Sequence, residues 1–88
     1  MYLAVSKGDD ENNPLLTFED FEITACCPNT DRIEINPDYD SWNGYDDSVD
    51  GEFYHNQTSY DYSGEHTIHA EAYSYDEETM TKKREMKT

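Results

Sequence analysis

The chain has 88 residues, with 21 Asp plus Glu against 6 Lys plus Arg, a formal charge of −15 and a mean hydropathy of −1.09. A chain of this length makes one small domain with a thin core, burying only about 60–65% of the surface that its unfolded form exposes. The charge excludes nucleic acid and anionic membranes as direct ligands and favours cationic partners.

The charge is also segregated. Residues 8–81 hold 20 acids and a single base, Arg32, while Lys82, Lys83, Arg84 and Lys87 gather at the C-terminal end and Lys7 stands near the start. High charge with low hydropathy is the usual mark of disorder. Twelve Tyr, Phe and Trp residues spread from Tyr2 to Tyr75 argue for a folded domain instead, because each buried ring removes a large area from water. The expected organisation is one domain over 1–88, with a flexible loop at 6–13 and a loose basic tail at 82–88.

In chain order, "MYLAV" reads as a short strand. Its apolar run is too short for a signal-peptide core, and no stretch is long enough to span a membrane, so a cytoplasmic location is expected. "SKGDDENNP" is a loop of turn formers. "LLTFEDFEITACC", 15–27, has Phe18, Phe21 and Ala25 at helical spacing, but its β-branched and aromatic content and the following Pro28 favour a strand. Cys26 and Cys27 are adjacent, cannot staple distant segments, and in a strand would point to opposite faces; both are expected to be reduced.

"DRIEIN", 31–36, alternates Ile33 and Ile35 with Arg32 and Glu34, a strand with one wet face. Residues 38–51 are rich in Asp and carry two Gly, which reads as a loop or a loose edge. "GEFYHNQTSYDY", 51–62, and "EHTIHAEAYSYDEE", 65–78, are the clearest strands. In the second, His66, Ile68, Ala70, Ala72 and Ser74 face one way and Thr67, His69, Glu71, Tyr73 and Tyr75 the other. Ser63-Gly64 between them would suit a two-residue hairpin turn. "TMTKKREMK", 79–87, is read as a final strand. The predicted fold is mainly β, an antiparallel sheet of four to six strands with one face open to water, with room for one short helix and therefore α+β as the alternative.

Residue type and spacing bear on several chemistries. From Asp46, the run "DDSVDGEF" places oxygen ligands at positions 1, 3 and 5 and Gly at 6, half of an EF-hand loop, but the twelfth residue is Gln57 instead of a bidentate Glu and the flank reads as a strand. A calcium module around 46–57 is thus an alternative with its affinity-setting residue missing. Cys26, Cys27, His55, His66 and His69 are zinc-ligand types without the spaced pairs of structural zinc sites. No glycine elbow or oxyanion-hole motif accompanies Cys27, Ser63 or His66, so no enzyme activity is expected. No cofactor or resident metal is expected either. Base stacking on Tyr would need a basic groove, which this composition lacks.

The acidic surface itself remains. Residues i and i+2 of a strand share a face about 6.6–6.8 Å apart, close to the spacing of successive phosphates, so carboxylates on one face can imitate a polynucleotide. Asp38, Asp40, Asp46, Asp47, Asp50 and Glu52 are expected to form such a row and bind a partner, with Tyr39, Trp42 and Tyr45 as anchors, since Tyr, Trp and Arg dominate interface hot spots. A charge of −15 exceeds the magnitude of about 2–8 that solubility requires.

In size, acidity and ring content, though in no motif, the chain resembles small acidic phage-encoded inhibitors that imitate nucleic acid, of the anti-CRISPR and anti-restriction type. The resemblance implies a non-enzymatic inhibitor in the host-cell cytoplasm, monomeric or dimeric, that occupies the cationic DNA- or RNA-binding site of a CRISPR effector or another defence or DNA-processing protein. An acidic adaptor for a basic protein is the other alternative.

Overall fold

Alternation gives most strands one apolar and one polar face, and the apolar faces meet. The computed structural model describes residues 1–9, 12–39, 41–42, 44–74 and 80–87; within 80–87 only the side chain of Lys82 is described. Among the described residues there is no helix, and seven strands form: β1 (Tyr2–Val5), β2 (Phe21–Cys26), β3 (Arg32–Asn36), β4 (Asp47–Asp50), β5 (Phe53–Thr58), β6 (Glu65–Tyr73) and β7 (Met80–Lys87). All pairings are antiparallel, as the alternation of apolar and polar residues predicts. The strands divide between two sheets, of order β1-β2-β5 and β4-β3-β6-β7.

Two sheets replace the single half-wet sheet because both carry an apolar face. Leu3, Phe21, Ile23, Ala25 and Tyr54 from the first sheet and Ile33, Ile35, Ile68, Ala70 and Ala72 from the second form one buried cluster, with Leu15 and Tyr60 packed into it. Burying a large side chain such as Phe21 or Ile35 stabilises the fold by roughly 1.5–3 kcal/mol each. The alternation expected for β3 and β6 holds, with Ile33, Ile35, His66, Ile68, Ala70 and Ala72 buried and Arg32, Glu34, Thr67, Glu71 and Tyr73 half-buried on the outer face, except that His69 of the outer set is buried too, against Tyr39. Tyr75 lies outside the described residues. Cys26 is half-buried and Cys27 buried.

Four local expectations change. Residues 15–20 precede the strand; β2 begins at Phe21, after a turn in which Glu19 N–H donates to the Leu16 carbonyl at 3.1 Å and Phe18 takes φ 67°. Ser63-Gly64 does not join a hairpin. The 51–62 strand stops at Thr58 and pairs with β2 in one sheet, while β6 pairs with β3 and β7 in the other. The acidic segment 38–51 supplies a strand of its own, β4. The final strand read over 79–87 is present as β7, and it takes 82–87 of the tail expected to be loose along β6 as an edge strand.

The 6–13 loop is tied down at its described positions. Gly8 is buried at φ 87° and donates to the Asn13 carbonyl at 2.8 Å; Asn13 Nδ2 donates to the Ser6 carbonyl, and Lys7 pairs with Glu19 at 2.7 Å. The turn from β4 to β5 crosses between sheets in two residues, and Gly51 makes this possible with φ 126°, a value that costs side-chain-bearing residues strain.

Candidate partner-binding surface

Because successive strands reverse direction, the loops after β1, β3 and β5 lie at the same end of the sandwich. Backbone and phenol groups bind them together. Phe18 N–H donates to the Tyr60 carbonyl at 2.7 Å, Tyr60 Oη donates to the Pro37 carbonyl at 2.7 Å, and Tyr62 Oη donates to Asp38 Oδ2 at 2.5 Å. Leu16, Phe18, Trp42 and Tyr62 are all exposed on these loops.

Asp38 is half-buried among several partners. Besides Tyr62, Ser41 Oγ donates to its Oδ2 at 3.1 Å, and its Oδ1 lies 3.5 Å from Nδ1 of the buried His66. His66 stacks on Tyr60 with ring centroids 3.7 Å apart and planes 8° from parallel. Tyr39 leans on His69, centroids 4.2 Å apart, and its N–H donates to the Thr67 carbonyl. Asp40 lies outside the described residues. Trp42 is exposed, and its carbonyl accepts from Asn36 Nδ2 at 2.9 Å. A Cβ on Gly44 would stand 3.0 Å from Trp42 Cζ3, so the glycine is what lets the indole lie against the chain.

Tyr45 meets the one base of the acidic stretch. The Arg32 guanidinium sits 5.3 Å from the Tyr45 ring centroid, and Nη2 donates to Tyr45 Oη at 3.2 Å. Arg32 also pairs with Glu34 at 2.9 Å and with Asp50 at 3.6 Å; the Glu34 bond, above all, raises its pKa further.

Asp46 is exposed, its N–H bonded to the Ile35 carbonyl. Asp47, opposite Ile35 in register, takes the inward-facing side of β4. Asn56 Nδ2 and Tyr54 Oη both donate to its Oδ2 at 2.8 Å, and Ser48 N–H donates to Oδ1 at 2.9 Å. These donors, Asn56 first and then Tyr54, hold the Asp47 carboxyl below its ordinary value. Burial and then the Asp47 bond push the Tyr54 phenol well above its own. Asp50 is exposed on the opposite side of β4, and Glu52 Oε1 accepts the Asn29 N–H at 2.6 Å at the other end of the sandwich.

The evenly spaced row on one face is therefore not built. Asp47 and Asp50 are three residues apart in an extended strand and point to opposite sides, and Asp38 and Glu52 belong to opposite ends. The acids instead descend one edge of the sandwich, from the 37–46 loop down β4 to the turn at Glu52. Asp38, Asp47 and Glu52 are engaged within the fold, leaving Asp46 and Asp50 the more available. The extended backbone of β4 and β5 also differs from an EF-hand loop, which must wrap its ligands around one point. Among the described residues no group of three His, Cys, Asp or Glu side chains could hold a metal ion.

No family model, characterised protein or solved structure matches the chain.

Sequence reasoning missed the exposed Leu16 and Phe18, and it named Tyr62 only as one of several rings able to hold carboxylates. Leu16 and Phe18 lie in a turn that has no Gly to announce it, and Tyr62 reaches Asp38 across 24 residues of chain. The expectation that rings hold the carboxylates is met by Tyr54 on Asp47 and Tyr62 on Asp38, and Tyr73 Oη also donates to Glu71 Oε2. No helix is long and apolar enough to cross a membrane among the described residues.

Proposed function

We propose that the chain is a non-enzymatic inhibitor that imitates nucleic acid and occupies the cationic DNA- or RNA-binding site of a host defence or DNA-processing protein, in the manner of anti-CRISPR proteins. The observation that carries this reading is the pairing of carboxylates with phenols: Asp38 with Tyr62, Asp47 with Tyr54, Glu71 with Tyr73. A carboxylate already fixed by the fold loses little freedom when a Lys or Arg arrives. Around these fixed charges, Asp46 and Asp50 are exposed to incoming cations, Asp50 beside its ion pair with Arg32, and a lined cationic channel attracts such a surface as it attracts phosphates. Trp42, Tyr45 and Tyr62 add exposed rings on which arginine stacks; Arg32 over Tyr45 is an internal example of that contact.

Capture on the immobilised chain from a host lysate tests the reading. The captured protein is expected to bind DNA or RNA on its own, and the complex to dissociate as salt rises from about 0.1 to about 0.5 M. A captured protein without a nucleic-acid site would make the chain an acidic adaptor instead.

A further inference from the structure

Four strands lie at sheet edges, and three of them are protected in the ways natural edges usually are. β1 has four residues, β4 carries Asp47 and Asp50, and β7 carries Lys82, Lys83, Arg84 and Lys87. β5, "FYHNQT", has six residues and no charged residue or proline. Among the described residues no strand pairs with its outer side.

The direction of its free groups follows from the ladder. Glu52 and Tyr60, at even positions, accept from the β2 side, through Cys27 N–H at 2.9 Å and Phe18 N–H at 2.7 Å. Antiparallel pairing alternates, so the odd positions Phe53, His55 and Gln57 turn their N–H and C=O groups outward. Of these, the Gln57 N–H is taken by Asn56 Oδ1 at 2.9 Å.

Beside this edge the sandwich is open. A recess of about 120 Å³ lies between β5 and β4, with Ile23, Ile35 and Pro37 supplying apolar wall and Asp46, Asp47 and Asn56 supplying polar groups. A strand added to β5 would send every second side chain toward this recess and the intervening ones over the outer face, next to Phe53 and His55. The recess suits a side chain with an apolar stem and a cationic head.

We propose that β5 and this recess bind an extended segment of the cationic partner, with Lys or Arg at alternate positions and uncharged residues between them. The segment pairs with the outward groups of Phe53 and His55, and its cations lie over Ile23, Ile35 and Pro37 with their heads at Asp46 and Asp47. A second copy of the chain is a poor occupant: joining two β5 edges would bring both sets of Asp46, Asp47 and Asp50 together between bodies each of charge −15. The proposal rests on the reading of the acidic edge as the surface that meets a basic protein, and adds how that protein is gripped.

Fluorescence polarisation with a labelled peptide, Thr-Arg-Val-Arg-Thr-Arg-Val, tests it on the whole chain. Two further peptides carry N-methyl groups either on the Arg residues or on the residues between them, with charge unchanged. The parent peptide is expected to bind, one methylated form to lose at least tenfold in affinity, and the other to keep most of it. His55→Pro, which removes an outward N–H and leaves the β2 ladder intact, and Asp46→Asn, an exposed change, are each expected to weaken binding at least tenfold, with amide NMR spectra confirming the fold. Equal binding of all three peptides, or no binding of the parent, overturns the proposal. If that happens while the chain still displaces nucleic acid from its captured partner, the edge-strand grip alone falls and nucleic-acid mimicry stands.

Discussion

Asp47 joins the two sheets through side chains. Tyr54 and Asn56 come from β5 in the first sheet, Asp47 from β4 in the second, and the three form a bridge at the open side of the sandwich. Hydrogen bonds to a charged group contribute about 1.5–3 kcal/mol when well enclosed. Asp47 is only half-buried, so Tyr54→Phe is expected to cost about 1–2 kcal/mol, read from the midpoint of urea unfolding. The pH dependence has a fixed sign. A carboxyl held low in the folded state stabilises above its unfolded pKa of about 3.9, and this contribution is lost as pH falls through the lower folded value. The stability gap between the wild type and Asp47→Asn is therefore expected to be constant above about pH 5 and to shrink below about pH 4. Tyr54 and Tyr73 shift upward, so their neutral forms stabilise below about pH 10 and that stability is lost as pH rises beyond it. Phe18 gives another single-residue test, because its φ of 67° places a bulky residue where Gly or Asn is normal, with its ring 73% exposed. Phe18→Gly is expected to stabilise the fold slightly, by about 0.5 kcal/mol after the flexibility of glycine offsets part of the relieved strain, and to weaken capture of the partner if the ring belongs to the interface. Side-chain direction along β3 and β6 was legible because period-2 alternation is local. The Asp47 bridge was not, since its members come from strands in different sheets.

At the scale of elements, strands were legible where apolar residues alternated, but their pairing was not, because the one turn signal misled. Ser63-Gly64 has hairpin chemistry, yet Tyr60 and Tyr62 turn the chain away before it. Tyr60 is buried against Phe21, with ring centroids 5.2 Å apart, and its phenol reaches Pro37. Burying that ring outweighs a local turn preference, so β5 stays with β2 and the chain crosses to the other sheet. β4 was legible only as a loop or a loose edge, because Val49 alone among its four residues is apolar; it is the edge strand beside β3, with Val49 paired to Ile33. The carboxylate row expected from strand spacing failed for a related reason. The acids were expected on one strand face or along a loop; strand geometry starts only at Asp47, and Asp38 and Asp46 lie before it outside any strand.

The whole molecule combines a body of strongly negative charge with a single layer of buried side chains between two small sheets. Its own repulsion opposes folding, and added salt screens it. The melting temperature is therefore expected to rise by several degrees between about 20 mM and about 300 mM salt, whereas any complex with a cationic partner weakens over the same range. Opposite responses to one variable separate an electrostatic complex from one that merely tracks the stability of the chain. The most direct measurement is equilibrium displacement of a labelled oligonucleotide from the captured partner by the wild-type chain and by the double variant Asp46→Lys with Asp50→Lys, both exposed positions outside the core. Competitive displacement by the wild type, lost at least tenfold in a variant that keeps its amide dispersion, is the expected result. A ternary complex in which oligonucleotide and chain bind together, or equal displacement by the two chains, would contradict the account.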